Sequence, residues 1–326
     1  MRSQGLLLGV DGGGTHTRAV LAEVGGRVLG RAAAGPSNQA TGGAVAAGEQ
    51  LAGAVLAVLD GRDPGALAAA CLGLAGLDRP RDLAAYRPVV AALGLPAGTL
   101  LVNDSEIAWA GATGGAPGVT VAAGTGSVAY GRDARGRGAR SGGWGLPFGD
   151  EGGAGWIATE AVRRVLRGCD GRQAPSTLAE ALCAAAGCAE PEDLCRLPSG
   201  MTPEAALGRL APAVTAAALA GDPDAADIVS RAASELAELA GGIARRLGIR
   251  GPAVHGLGSV LHDPTLAFPG TPVAAALDAR LRQTLGVPLL PPRSSALSGA
   301  LVLAHAAATG AMPEPHSIAR WEASPW

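Results

Sequence analysis

The chain has 326 residues, 48% of them hydrophobic and 17% charged, with a formal net charge of −2. That length predicts about two domains with sizeable cores, and the near-neutral balance leaves no electrostatic footprint for nucleic acid. Lysine is absent altogether, which excludes a Walker-type phosphate loop and any Schiff-base or lysine-base chemistry.

A strand over 5–10 runs into Asp11-Gly12-Gly13-Gly14-Thr15-His16-Thr17, and a second strand follows over 17–24. Glycines let backbone N–H groups crowd around an anion, because no Cβ blocks the approach. Asp11, at a strand end, can hold Mg²⁺ directly or through water. Thr15 and Thr17 add hydroxyls, which suits a nucleotide triphosphate with its metal. With 51 glycines in the chain, a plain hairpin turn stays open as the other reading. A dinucleotide fingerprint is excluded, because Gly12, Gly14 and Thr17 miss the G-x-G-x-x-G spacing.

A third strand is expected over 27–33, then a loop at Gly35-Pro36-Ser37-Asn38-Gln39 and an Ala-rich helix over 43–59. A buried strand over 68–74 leads into a turn over 75–80 and a helix over 81–93. Leu100-Leu101-Val102 reads as a short strand and Ser105 to Ala112 as a helix. Asn103 and Asp104 sit at that junction, and Asn38 and Asn103 are the only asparagines in the chain. A carboxylate there can act as the general base of phosphoryl transfer, accepting the proton of an attacking hydroxyl. It can equally be a helix N-cap.

The pattern then restarts. Residues 118–130 again read as strand, Gly/Thr turn and strand, with Gly124-Thr125-Gly126-Ser127 at the turn. Two such hairpins predict a duplicated βββαβα-type domain, with a ligand cleft between the copies. A Gly-rich loop over 141–155 and a helix near 156–167 come next. A helical block fills 176–247, its ends marked by Pro203, Asp222-Pro223 and Gly248. A strand at 253–260 runs into another Gly/Ser turn, followed by a helix over 271–285, a strand over 286–290 and a helix over 295–309. From Gly310 the Pro-rich tail is expected to be irregular.

The segment Gly142-Gly-Trp144-Gly145-Leu-Pro-Phe148-Gly149-Asp150-Glu151-Gly-Gly153 concentrates scarce aromatics beside two carboxylates. That pairing suits a sugar, whose ring faces stack on an aromatic while its hydroxyls donate to Asp150 or Glu151. The alternative is a glycine loop anchored by a packed tryptophan. Cys183, Cys188 and Cys195 cluster without metal-ligand spacing and read as helix-packing thiols. The apolar runs are too short to span a membrane, no signal-peptide pattern is visible, and five cysteines, an odd number, suit a reducing cytoplasm.

Taken in order, Asp11-Gly-Gly-Gly-Thr15, Gly35-Pro-Ser-Asn38, Gly73-Leu-Ala-Gly76, Asn103-Asp104, Ala123-Gly-Thr-Gly-Ser127, Gly142-Gly-Trp-Gly145, Gly149-Asp-Glu-Gly152 and Gly258-Ser-Val260 resemble the N-acetylglucosamine kinases. Those kinases belong with the BadF/BadG-type ATPases, in the superfamily of actin, heat-shock chaperones and sugar kinases. The resemblance covers roughly residues 6–310. It implies an α/β fold of duplicated, actin-like (ribonuclease H-like) ATPase domains with an interdomain cleft. The implied domains are 1–115, joined by a C-terminal helix over 295–310, and 116–294 with a helical insert, leaving a tail over 311–326.

The resemblance also implies residue roles. Gly12, Gly13, Gly14 and Thr15 would form the first phosphate loop of an ATP site, with Asp11 near Mg²⁺. Gly124, Thr125, Gly126 and Ser127 would form the second, and Gly256, Gly258 and Ser259 would lie by the adenosine. Asp104 would be the base, while Asn38, Asp104, Trp144, Gly145 and Asp150 would hold the sugar. The implied reaction moves the γ-phosphate of ATP to the 6-hydroxyl of N-acetylglucosamine or glucosamine, in a cytoplasmic homodimer. Glucose and N-acetylmuramic acid remain alternative acceptors. An ATPase activator of a 2-hydroxyacyl-CoA dehydratase shares the phosphate loops, but its paired iron–sulfur cysteines have no match here. A weakly catalytic sugar sensor is disfavoured by Asp104. The adenosine segment reads Gly-Leu-Gly-Ser rather than a Gly-Gly pair, and His16 has no counterpart role.

Overall fold

The structure, a computed structural model, describes residues 5–39, 43–77, 79–196 and 203–324. Asp78 of the expected 75–80 turn, and residues 1–4, where a leader would begin, lie outside the described residues. The chain divides into two units, Met1–Ala116 with Pro292–Trp326, and Pro117–Pro291.

The first unit opens with β1 (Leu6–Gly12), β2 (Thr17–Glu23), β3 (Val28–Ala34), α1 (Ala44–Leu59), β4 (Leu67–Leu74), α2 (Pro80–Ala92), β5 (Leu100–Asn103) and α3 (Asp104–Thr113). The sheet order is β3-β2-β1-β4-β5. β1 pairs antiparallel with β2, and parallel with β4, which in turn runs parallel to β5. Leu7, Leu8 and Val10 are buried because β1 is the central strand, which calls for a near-continuous apolar run. Leu51, Val55, Leu72, Leu74 and Tyr86 complete this core.

The second unit holds β6 (Gly118–Ala123), β7 (Ser127–Arg132), β8 (Gly138–Gly142), α4 (Ala154–Cys169), α5 (Leu178–Ala186), α6 (Pro203–Gly208), α7 (Ala211–Leu219), α8 (Pro223–Leu247), β9 (Val254–Leu257), α9 (Pro272–Leu285) and β10 (Leu289–Leu290). Its order is β10-β9-β6-β7-β8, the first unit's order strand for strand. The duplication expected from the two hairpins is therefore present in topology, with α4 to α8 inserted between β8 and β9. α8 starts on an Asp222 cap, whose carboxylate accepts the Ala225 N–H at 2.8 Å, and stops at left-handed Gly248. Among the described residues no helix is long and apolar enough to cross a membrane.

Two local expectations are corrected. The 141–155 stretch is not loop from its start, because β8 runs to Gly142 and pairs with β7. Nor is the tail irregular. After α10 (Ala296–Thr309), residues Pro315–Ala323 form α11. Pro315 falls in the first helical turn, where its missing N–H costs nothing. Ile318 and Trp321, three residues apart, bury one face. The Glu322 carboxylate then accepts the Ser295 N–H at 3.1 Å and the Ser298 hydroxyl at 2.7 Å, tying α11 to the start of α10.

Candidate functional site

The first unit brings two carboxylates to the same ends of parallel strands. Asp11 is in register with Gly73 of β4, and Gly73 with Val102 of β5. Asp104 follows β5 directly, two residues beyond the Val102 level, so one strand separates the two acids, a backbone spacing of about 12 Å. Burial pushes the Asp11 carboxyl up to about 6, with the Asp104 charge adding to the rise and Arg18 opposing it. An oxygen donor in a glycine loop, carrying negative potential that a cation would relieve, fits Mg²⁺.

Asp104 is not the cap of α3. Asn103 takes that role, its Oδ1 accepting the Ser105 N–H at 3.0 Å and the Ser105 hydroxyl at 2.6 Å. Asp104 therefore begins the helix, in its first turn. The helix behind it is fixed by close approach to α10. A Cβ on Gly111 would sit 2.1 Å from the Ser295 carbonyl oxygen, and one on Gly299 would sit 1.9 Å from that of Ile107.

The first glycine loop turns through a hydrogen bond from the Gly13 N–H to the His16 carbonyl, 2.9 Å. Among the described residues no acceptor meets the Gly14 or Thr15 amides, and both residues are exposed. Gly12, Gly13, Gly14 and Thr15 are thus brought together, with Gly14 and Thr15 as the open donors. Thr17, expected to add a hydroxyl, is buried and donates to the Gly35 carbonyl at 2.7 Å. The Ser37 N–H donates to the Gly13 carbonyl at 3.1 Å, which ties the loop holding Asn38 to the glycine loop.

In the second unit, Gly124 to Ser127 form the turn between β6 and β7, and the 149–155 segment packs directly onto it. The Ala154 N–H donates to the Gly124 carbonyl at 2.8 Å, the Gly155 N–H to that of Thr125 at 3.0 Å, and the Ser127 hydroxyl to that of Glu151 at 2.7 Å. Among the described residues the Thr125 and Gly126 amides meet no protein acceptor. Asp150 adopts φ 63°, a left-handed conformation rare outside glycine. Its Oδ1 accepts the Gly145 N–H at 3.2 Å. A Cβ on Gly126 would sit 1.9 Å from its Oδ2, so only glycine lets this carboxylate lie on the β6–β7 turn.

Trp144 is 74% exposed and Phe148 85% exposed, so the tryptophan is not a packed anchor of its loop. The loop is held instead by Arg140, whose Nη2 donates to the Gly143 carbonyl at 2.7 Å. A cavity of about 330 Å³ opens beside Ser259 and Val260, walled by Ala154, Ala211, Thr215 and Leu219. Gly258, with φ 86°, lies against the carbonyl of Ala123, where the β6–β7 turn begins. Gly256 does not join them. It sits within β9 with its α-carbon face toward Phe268 and Leu289, outside the cavity lining.

Sequence reasoning missed three contributors: Arg140, the α7 wall of the cavity, and Tyr86, whose hydroxyl reaches the loop that holds Asn38. The apolar pattern of α7 was visible, but periodicity does not say what a helix face will line.

The family model for BadF/BadG/BcrA/BcrD ATPases matches residues 8–269. An N-acetylmuramic acid/N-acetylglucosamine kinase of Clostridium acetobutylicum is 36% identical over 168 residues, 51% of this chain and 55% of that protein. The match thus spans little more than half the length of that curated relative. An N-acetyl-D-glucosamine kinase of Dictyostelium discoideum is 27% identical over 260 residues, 76% of this chain and 82% of that one. Among solved structures, a candidate N-acetylglucosamine kinase of Chromobacterium violaceum superposes with a TM-score of 0.71 at 28% identity, over 92% of this chain and 99% of its own. With a match that takes in both units of the duplicated fold, the chain belongs to the BadF/BadG/BcrA/BcrD ATPase family.

Proposed function

We propose that the protein is an ATP-dependent amino-sugar kinase. It transfers the γ-phosphate of ATP to the 6-hydroxyl of an N-acetylglucosamine-type sugar, a class that takes in glucosamine and N-acetylmuramic acid. The observation that carries this reading is Asp104, a strand-end carboxylate that its helix does not use as a cap, one strand away from Asp11. The activities for which the two relatives are named support the substrate class.

In this reading Asp104 accepts the proton of the sugar hydroxyl and orients its oxygen for in-line attack. The amides of Gly14, Thr15, Thr125 and Gly126 donate to phosphate oxygens, with Gly12, Gly13, Gly124 and Ser127 shaping the two turns. The cavity beside Gly258 and Ser259 takes the adenosine. Asp11 would hold Mg²⁺, which supplies neutralisation of phosphate charge when bound. Asn38, Gly145 and Asp150 hold the sugar hydroxyls, and the exposed Trp144 ring offers an apolar face to the sugar. We further assign the protein to the cytoplasm and to a homodimer, the latter tested by light scattering on the purified chain.

The deciding experiment is ADP release with Mg²⁺ against N-acetylglucosamine, N-acetylmuramic acid, glucosamine, N-acetylmannosamine, glucose and no sugar. Turnover that depends on an amino sugar supports the proposal and names the substrate. Equal turnover with and without every sugar overturns it in favour of a dehydratase-activating ATPase.

A further inference from the structure

We infer that Tyr86 is a positioning residue for the sugar, acting through Asn38; the inference rests on the kinase reading above. Tyr86 lies on α2 and is only 1% exposed. Its hydroxyl donates to the Ser37 carbonyl and accepts the Gln39 N–H at 3.2 Å. Those two backbone groups flank Asn38, so a single hydroxyl pins the peptide units on both sides of it.

The rest of the loop is anchored as well. The Gly35 N–H donates to Gln50 Oε1 at 2.7 Å, and the Gly35 carbonyl accepts from Thr17. The Asn38 side chain lies against Gly76, where a Cβ would come within 2.8 Å of its Oδ1. Gly76 has φ 79°, so it meets both demands of that spot, a left-handed backbone and no side chain.

The Tyr86 ring belongs to the apolar core of the first unit, a task phenylalanine would perform equally well. A buried hydroxyl is a cost unless it is hydrogen-bonded, and both of its bonds here go to the Asn38 loop. Its contribution beyond packing is therefore to hold that loop.

The test uses the full chain and Tyr86→Phe, which keeps the ring and removes the hydroxyl. The sugar KM should rise about tenfold while kcat and the KM for ATP stay within about twofold. In an Asn38→Ala background the same change should add no further rise, because the two residues act as one unit. Tyr130→Phe in the second unit, which removes a hydroxyl hydrogen-bonded to Arg132, serves as a control and should leave the sugar KM unchanged. The inference is overturned by an unchanged sugar KM in Tyr86→Phe, or by an equal rise in both backgrounds. A parallel fall of kcat and both affinities with the melting temperature overturns it too, since that pattern marks a purely structural role. If the wild-type chain releases ADP without regard to sugar, the kinase reading is what fails. Hydrogen exchange at the Gln39 amide then decides the clamp on its own: faster exchange in Tyr86→Phe supports it, and unchanged exchange overturns it.

Discussion

The two units share a strand order but not a charge pattern at the strand ends. In the first, β1 ends in Asp11-Gly12 and β5 runs into Asn103-Asp104. In the second, the equivalent strands end in Ala123, followed by Gly124, and in Leu290, followed by Pro291. At these strand ends one copy carries carboxylates and the other only uncharged residues, although both copies follow the first strand with a glycine turn. Under the proposed function, the difference divides labour between the two copies. Acids suit proton transfer and metal binding, and backbone amides over a glycine turn suit an anion. The nearest acid in the second unit, Asp150, departs from helical and extended backbone to lay its carboxylate on Gly126.

The largest effect that sharpens this contrast belongs to Asp104. Asp104→Asn should lower kcat by roughly 10²–10⁴-fold. It should leave the melting temperature nearly unchanged, because Asn103 keeps the helix capped. Steady-state kinetics beside thermal denaturation checks both, and near-normal turnover would remove Asp104 from the chemistry.

Asp11→Asn should separate activity from stability. Burial holds the folded carboxyl up at about 6, above its ordinary 3.8, so the folded state binds this proton more tightly than the unfolded chain does. Stability from this group is thus greatest at low pH and is lost as the pH rises through about 6. At neutral pH the ionised Asp11 destabilises the metal-free fold by an amount on the order of 1–3 kcal/mol. The variant should melt higher than wild type at pH 7.5 without Mg²⁺, lose that advantage below pH 4, and have little activity at either pH. Without Mg²⁺, the difference in melting temperature between Asp11→Asn and wild type should appear as the pH rises through about 6, and that midpoint should move lower in an Asp104→Asn background, which removes the charge that helps raise it.

How much of this was legible in the sequence follows from the range of the forces involved. The strand–glycine–strand hairpins are local, so both were readable, and the matched topology of the two units follows from them. The Asn103-Asp104 pair was not decidable, because either residue caps well, and only the backbone reveals that Asn103 accepts from Ser105. β8 was hidden by glycines at both its ends, and α11 by prolines that look like breakers until Pro315 falls in a first turn. Tyr86 lies beyond sequence reasoning altogether. Its partners are 47 and 49 residues away along the chain, and helical periodicity does not say which loop a hydroxyl will meet.

The remaining predictions test whether the neutral unit positions substrates without doing chemistry. Asp150→Ala should raise the sugar KM about tenfold with little change in kcat, the signature of lost binding rather than lost catalysis. Asp150→Gly removes the same carboxylate but tolerates φ 63° without strain, so any difference between the two variants reports the backbone alone. The smallest effect is expected from Ser127→Ala. Its hydroxyl bonds to the Glu151 carbonyl, and losing that bond should cost about 1 kcal/mol in denaturant unfolding. The proposed phosphate contacts, through the amides of Thr125 and Gly126, need no serine hydroxyl, so kcat should barely move. Should Ser127→Ala instead depress kcat as deeply as Asp104→Asn, the second unit would be taking part in the chemical step, and the division between an acidic unit and a neutral one would no longer describe this protein.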